Sequence, residues 1–305
     1  MTWLIFALFA PILWAAVNHF DKYIIHRYVK SGGDAGSTIL LSAMSGIVVS
    51  AIILCVAPGT VMVGWKMALL IILNGALLTA SYIPYLYALS DDETSVVAPL
   101  FQLITFFIYI LGVIFLHETL TGIQLFAGVL IIGGAVLMTF KKTSSGFQVK
   151  KKVIGLMVLS SFLIATNSIV FKSLAEQTDF WKMAFWEYLG ATLFAFVLFV
   201  FVGRYRREFL RILRENSWAV VPLNIVGELV SATARLSFNY AALLVPVALV
   251  SIVNGFQPFF ILLYGIILTL VIPSVAKEDI SKEFLIQKIF ATVLMVLGAV
   301  LLIGV

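Results

Sequence analysis

Apolar residues along this chain come in blocks of roughly twenty, separated by short polar or basic stretches, and about twenty apolar residues are what a helix needs to cross the hydrocarbon core of a bilayer. Within such a block every backbone donor and acceptor must be paired inside the segment, so each block is predicted to be a helix. The blocks run over 2–18, 37–57, 65–89, 95–116, 121–140, 153–173, 183–203, 217–243, 246–272 and 284–304. A basic linker, Lys141 to Lys152, with Ser144, Ser145 and Gly146 inside it, divides the ten into five and five.

The second five repeat the first. Phe101-Gln102 recurs as Phe256-Gln257 and Tyr109 as Tyr264, each 155 residues on, while Gly134-Ala135-Val136-Leu137 recurs as Gly298-Ala299-Val300-Leu301 after 164. The earlier helices match more faintly: Leu13 to Asn18 (LWAAVN) against Phe162 to Asn167 (FLIATN), and Met44-Ser45-Gly46 against Tyr188-Leu189-Gly190. Five is odd, so each unit enters on one face of the membrane and leaves on the other. The second unit is therefore expected upside down relative to the first. The predicted architecture is an all-α integral membrane protein of ten transmembrane helices in two inverted five-helix repeats, residues 1–140 and 153–305, joined by the linker 141–152.

With 62% hydrophobic and 11% charged residues, the 305-residue chain has lipid as the solvent for most of its surface. The net charge of +5 does not point to nucleic acid, because the basic residues sit in short blocks between the apolar runs. Linkers after odd-numbered helices hold sixteen of the 20 Lys and Arg, which places those linkers in the cytoplasm and both termini outside. Lys66, Lys172 and Lys182 fall on the opposite face, and Arg235 lies inside a helix. The first run lacks a leading basic region and a small-residue cleavage site, so it is expected to remain as a helix. Cys55, the single cysteine, is expected to be a small buried apolar side chain. Ser42, Gly46 and Ser50, four residues apart, mark a close helix contact.

Polar side chains at membrane depth are costly and face the bundle interior, a cavity or a partner. Glu228 and Arg235 share a helix face two turns apart, about 10 Å along the axis. One reading makes Arg235 a fork for a substrate carboxylate or phosphate and Glu228 a proton-coupling carboxylate. The other has the two charges neutralise each other. Glu187, beside Trp186 about one turn inside the outer boundary, is a second proton-coupling candidate or an interface anchor reaching water. Asn18 with Asn167, and Gln102 with Gln257, form two pseudo-symmetric amide pairs expected to face a shared axis. Trp14 supplies an aromatic wall near Asn18, and Tyr82 joins the substrate-binding candidates. Asn74, Asn224, Asn254, Tyr85, Tyr109, Tyr240 and Tyr264 read more simply as helix-packing residues.

His19, His26 and His117 share no metal-ligand spacing. No phosphate-cradling glycine loop, zinc spacing, nucleophile elbow or paired catalytic carboxylate occurs in a fitting context, so neither metal, cofactor nor enzymatic turnover is expected. In His117-Glu118-Thr119-Leu120-Thr121 the polar side chains are placed to cap the fifth helix.

The segment YALS-x4-SVVAPLFQ (Tyr87 to Gln102), with HETLT (His117 to Thr121) and GVLIIGGAVLM (Gly128 to Met138), resembles the half-domain of the EamA family in the drug/metabolite transporter superfamily. The resemblance spans nearly the whole chain as two tandem copies, although the second lacks the glutamate of HETLT and carries a longer loop, Pro273 to Glu283. It implies a secondary carrier of amino acids, other metabolites or amphipathic drug-like compounds, working by alternating access in the plasma (inner) membrane, with the export direction favoured. The expected partners are a small-molecule substrate, the bilayer and a coupling proton. The alternative is a membrane scaffold or a lipid-flippase-type protein that carries no soluble solute.

Overall fold

A computed structural model describes residues 2–28, 35–91, 97, 99–139, 150–271 and 282–303. Among them we number the α-helices α1 (Thr2–Tyr28), α2 (Ala35–Val56), α3 (Trp65–Asp91), α4 (Leu103–Phe115), α5 (Gly122–Thr139), α6 (Lys151–Gln177), α7 (Phe180–Phe201), α8 (Gly203–Leu244), α9 (Val247–Asn254), α10 (Gln257–Val271) and α11 (Lys282–Ile303). No strand occurs among the described residues. Nine helical stretches of the described residues are long and apolar enough to cross a membrane, and the shorter apolar Leu103–Phe115 adds to them. The described residues make an all-helical, multi-pass membrane protein. Residues 141–149 of the expected linker lie outside the described residues, and α6 begins at Lys151.

Two expected spans contain breaks. Around Phe101-Gln102 the backbone closes short-range bonds, Gln102 N to Pro99 O at 3.2 Å and Ile104 N to Phe101 O at 3.0 Å. Gly255-Phe256 does the same, Gly255 N to Ile252 O at 2.9 Å and Phe256 N to Val253 O at 3.0 Å. Both breaks are flanked by prolines, Pro99 before the first and Pro246 and Pro258 around the second, which withhold donors from a regular ladder. They fall at matching positions of the repeated motif. The piece between Pro246 and the second break, α9, is buried along nearly its whole length.

A predicted loop proves to be helix. The basic stretch Arg204 to Asn216 continues into the following span, giving the 42-residue α8. Arg, Glu and Leu are good helix formers, Arg204 Nε bonds Glu208 one turn on at 2.7 Å, and no Gly or Pro in the stretch stops the helix. Its inner face is anchored: Tyr205 and Ile212 are buried, and Glu208 accepts the Gly36 amide of α2 at 3.1 Å. Cys55 is exposed on α2, not buried as expected, because Ile53 is the neighbour that turns inward.

Packing runs between the two halves of the chain. α1 lies against α8 and α10, α3 against α6 and α7, α2 against α7 and α8, α4 against α6 and α9, and α5 against α11. With water absent, close backbone approach and dispersion hold such contacts together, and small residues permit it. The α5–α11 contact is reciprocal. A Cβ on Gly134 would stand 2.8 Å from the Ala291 carbonyl oxygen, and one on Gly298 would stand 2.7 Å from that of Ala127. Glycine is also required where α3 meets α7: a Cβ on Gly75 would overlap the Glu187 carbonyl, and one on Gly190 would come within 2.6 Å of the Ile72 Cα.

Candidate functional site

That α3–α7 approach positions a polar cluster. Asn74 of α3, Asn167 of α6, Glu187 of α7 and Arg235 of α8 converge, each about 10–15 Å in from the helix ends on one side. Glu187 is 1% exposed, so it is neither an interface anchor nor in reach of water. Gly75 and Gly190 let α3 and α7 close over it.

The Glu187 carboxylate oxygen Oε1 accepts Nδ2 of Asn74 at 2.8 Å and Nδ2 of Asn167 at 3.0 Å. The same Asn167 amide reaches the Asn74 carbonyl at 2.9 Å, tying α3 to α6. Arg235 Nη2 donates to Asn167 Oδ1 and stands 3.4 Å from Glu187 Oε1. Arg235 therefore takes its counter-charge from Glu187 on another helix. Glu228 does not neutralise it, as one reading of the sequence held, because two turns of helix keep the pair apart.

Glu228 instead accepts a hydrogen bond from Ser42 of α2, and among the described residues no cation pairs with it. Tyr82 of α3 connects the two sets. It is 40% exposed, accepts a hydrogen bond from Arg235, and lies within electrostatic reach of Glu228 and Glu187. Several buried polar atoms here have no partner among the described residues: Arg235 Nε, Asn74 Oδ1 and the Tyr188 hydroxyl. Unpaired polar atoms in a low-dielectric interior are costly, and their concentration around one ion pair makes this cluster the candidate site.

The other candidates lie elsewhere. Asn18 is exposed and returns its amide to the Trp14 carbonyl of its own helix at 2.9 Å, so it does not meet Asn167. Trp14 packs 6.0 Å from the Phe238 ring. Gln102 and Gln257, both half-buried, stand at the two helix breaks, and Gln102 lies beside Gly255 of the opposite break. Nearby, Thr105 Oγ1 and Ser251 Oγ join α4 to α9 at 2.9 Å.

A second buried ion pair links the halves. Lys172 Nζ of α6 is 2.6 Å from Glu118 Oε1, with the two side chains 9% and 13% exposed. The other Glu118 oxygen accepts the Val247 amide of α9 at 2.8 Å, and Lys172 also donates to the Val245 carbonyl at 2.9 Å. Glu118 thus caps α9, not the fifth span. The fifth span is capped by Thr121 and Gln124, whose side chains bond each other's amides at 2.9 and 3.3 Å. The sequence had placed Asn74 among packing residues, Ser42 as a spacer and Lys172 as a loop cation. Asn74 carried a signal all the same, in its place next to Gly75. Among the described residues no three His, Cys, Asp or Glu side chains gather as a metal would require.

Residues 1–140 match the EamA-like transporter family. This half of the chain is EamA-like. One curated relative, human solute carrier family 35 member F3, is 30% identical over 125 residues, 40% of this chain and 29% of that protein's length. The chain thus spans less than a third of that relative. A solved crystal structure of a protein, 15% identical, superposes with a TM-score of 0.65 over 98% of this chain and 96% of its own. That likeness concerns the fold. The EamA-like half supplies Ser42, Asn74, Tyr82 and Glu118, and residues 150–303 supply Asn167, Lys172, Glu187, Glu228 and Arg235.

Proposed function

We propose that the protein is a secondary carrier for a small metabolite, an amino acid, another metabolite or an amphipathic drug-like compound, and that it works by alternating access in the plasma (inner) membrane, in the direction of export. The observation that carries this reading is the cluster itself: an Arg–Glu pair with polar atoms around it that have no partner among the described residues, and, two turns along α8, Glu228, a carboxylate that no cation pairs with among the described residues. Arg235 orients a polar group of the solute through its Nε, which has no partner among the described residues, Tyr82 forms the exposed wall, and Glu228 exchanges a proton or a cationic group of the cargo.

Ten spans in two inverted repeats, 1–140 and 153–305, are the framework of this proposal. It draws support from the interhelical pairings: exchanging each helix for its equivalent in the other half turns α1 against α8 into α6 against α3, and α4 against α6 into α9–α10 against α1. The reciprocal Gly134 and Gly298 contacts have the form of an isologous interface. In this framework the first, third, fourth, sixth, eighth and ninth spans line the cavity, and both termini lie outside the cytoplasm. A reporter tag at either end checks the last point, and a cytosolic signal overturns it.

The direct test is a screen of amino acids, nucleosides and amphipathic cations against vesicles holding the purified protein, paired with Arg235→Gln. Uptake that the variant abolishes while remaining folded supports the carrier. Absence of any solute-dependent uptake or thermal stabilisation overturns it. A flippase-type reading is favoured by one feature, a crevice of about 310 Å³ between α1, α10 and α11 lined by Leu4, Leu8, Phe256, Phe259, Phe260 and Val300. That reading predicts stabilisation by lipids alone.

A further inference from the structure

The stretch of α8 that precedes its membrane span presents one continuous stripe. Arg207, Arg211, Arg214 and Trp218 follow one another at spacings of four, three and four, which places them on a single helix face. All four are exposed, Trp218 to 79%. The opposite face, with Tyr205, Ile212, Ala219 and Val220 buried, packs against the body of the protein, so the stripe faces outward. Arg207, Leu210, Arg211, Arg214 and Glu215 together line a recess of about 390 Å³. Three guanidinium groups against one carboxylate leave it net positive.

The stripe passes from charge to grease at the depth where a lipid does. Trp218 is of the type that settles at the boundary between hydrocarbon and headgroups. Arg214 and Arg211 stand about 6 and 10 Å further along the axis, at and just beyond the level of the lipid phosphates. In the other direction the same face continues through Pro222 and Val226, both exposed, Val226 to 53%. A planar guanidinium matches a phosphate with two parallel hydrogen bonds.

We propose that this face of α8 binds an anionic phospholipid, its phosphate in the arginine recess and its acyl chains along Trp218, Pro222 and Val226. The proposal is independent of what the protein carries. It commits to a lipid-borne phosphate and not a soluble one, because the apolar continuation of the stripe would be idle for a free anion.

The test uses the full chain in a mild detergent. Phosphatidylglycerol, phosphatidylcholine and inorganic phosphate are each titrated while the thermal midpoint is followed. Phosphatidylglycerol should raise the midpoint, with half-saturation at least about tenfold lower than for phosphatidylcholine. The combined Arg207→Gln/Arg214→Gln variant should erase that preference and keep the response to phosphatidylcholine. In the unaltered protein the preference should shrink as salt rises from about 0.05 to 0.5 M, a measurement that does not depend on the variant folding. Equal responses to the two lipids, an equal response to inorganic phosphate alone, or a salt-independent preference would each overturn the site.

Discussion

Lys172 and Glu118 meet at 2.6 Å across the seam between the two halves of the chain, and both are nearly buried. Each is also bonded to the backbone where α8 gives way to α9, so the pair holds the broken span in place. Replacing Lys172 by Met leaves a buried, uncompensated carboxylate and should cost about 3–5 kcal/mol of stability. Lys172→Met/Glu118→Gln removes both charges and keeps an acceptor for the Val247 amide, so it should recover most of the loss. Thermal unfolding of the four proteins in detergent checks this, and a double variant no better than Lys172→Met would show that charge balance is not what the pair supplies.

The Arg235–Glu187 contact should show coupling of the same kind. Arg235→Gln and Glu187→Gln each orphan a buried charge, so the pair of substitutions should be less damaging than the singles added together, by about 0.5–3 kcal/mol. Glu228→Gln breaks no ion pair among the described residues and should leave stability within about 1 kcal/mol of the parent. A double-mutant cycle measured by denaturation in detergent separates these cases. Strict additivity for Arg235 and Glu187 would contradict the geometry.

Glu228→Gln is also the test of coupling. With the carboxylate gone, counterflow exchange of a solute found by the vesicle screen should persist while transport driven by a pH gradient disappears. An unaltered response to the gradient would remove Glu228 from the mechanism.

Gly75 sets the distance between α3 and α7. Gly75→Ala drives a methyl into the Glu187 carbonyl and should cost about 1–3 kcal/mol, with loss of solute binding because Asn74 and Glu187 separate. Gly133→Ala, where nothing lies within 4 Å, is the matched control and should be neutral or slightly stabilising. Equal effects at the two positions would mean that helix propensity, not contact, decides the outcome.

Much of the fold could be read in the sequence because lipid as solvent makes hydropathy decisive: the apolar runs became helices, and the repeated Phe-Gln motif fell at both backbone breaks. The continuity of α8 through its basic stretch was hidden because hydropathy scores charge and is blind to helix propensity. Membrane depth singled out Arg235, Glu228 and Asn167. It could not say that Glu187 is the partner of Arg235, since that depends on two glycines, Gly75 and Gly190, letting separate helices touch. Glu118 read as a local cap for the same reason: its partners, Lys172 and Val247, are distant in the chain, and its own copy of the motif says nothing about them. Asn18 resembled Asn167 in sequence, yet it bonds its own helix while Asn167 bridges three.

The length of α8 has a mechanical implication. A single rod of 42 residues bears the arginine stripe near one end and Arg235 about 32 Å further on, with Pro222 withholding one donor between them without ending the helix. Leaning such a lever by about 10° about its arginine end moves Arg235 by about 6 Å, more than the reach of a hydrogen bond. The make-up of the surrounding leaflet would then register directly at the guanidinium deep inside, with no relay of side chains between.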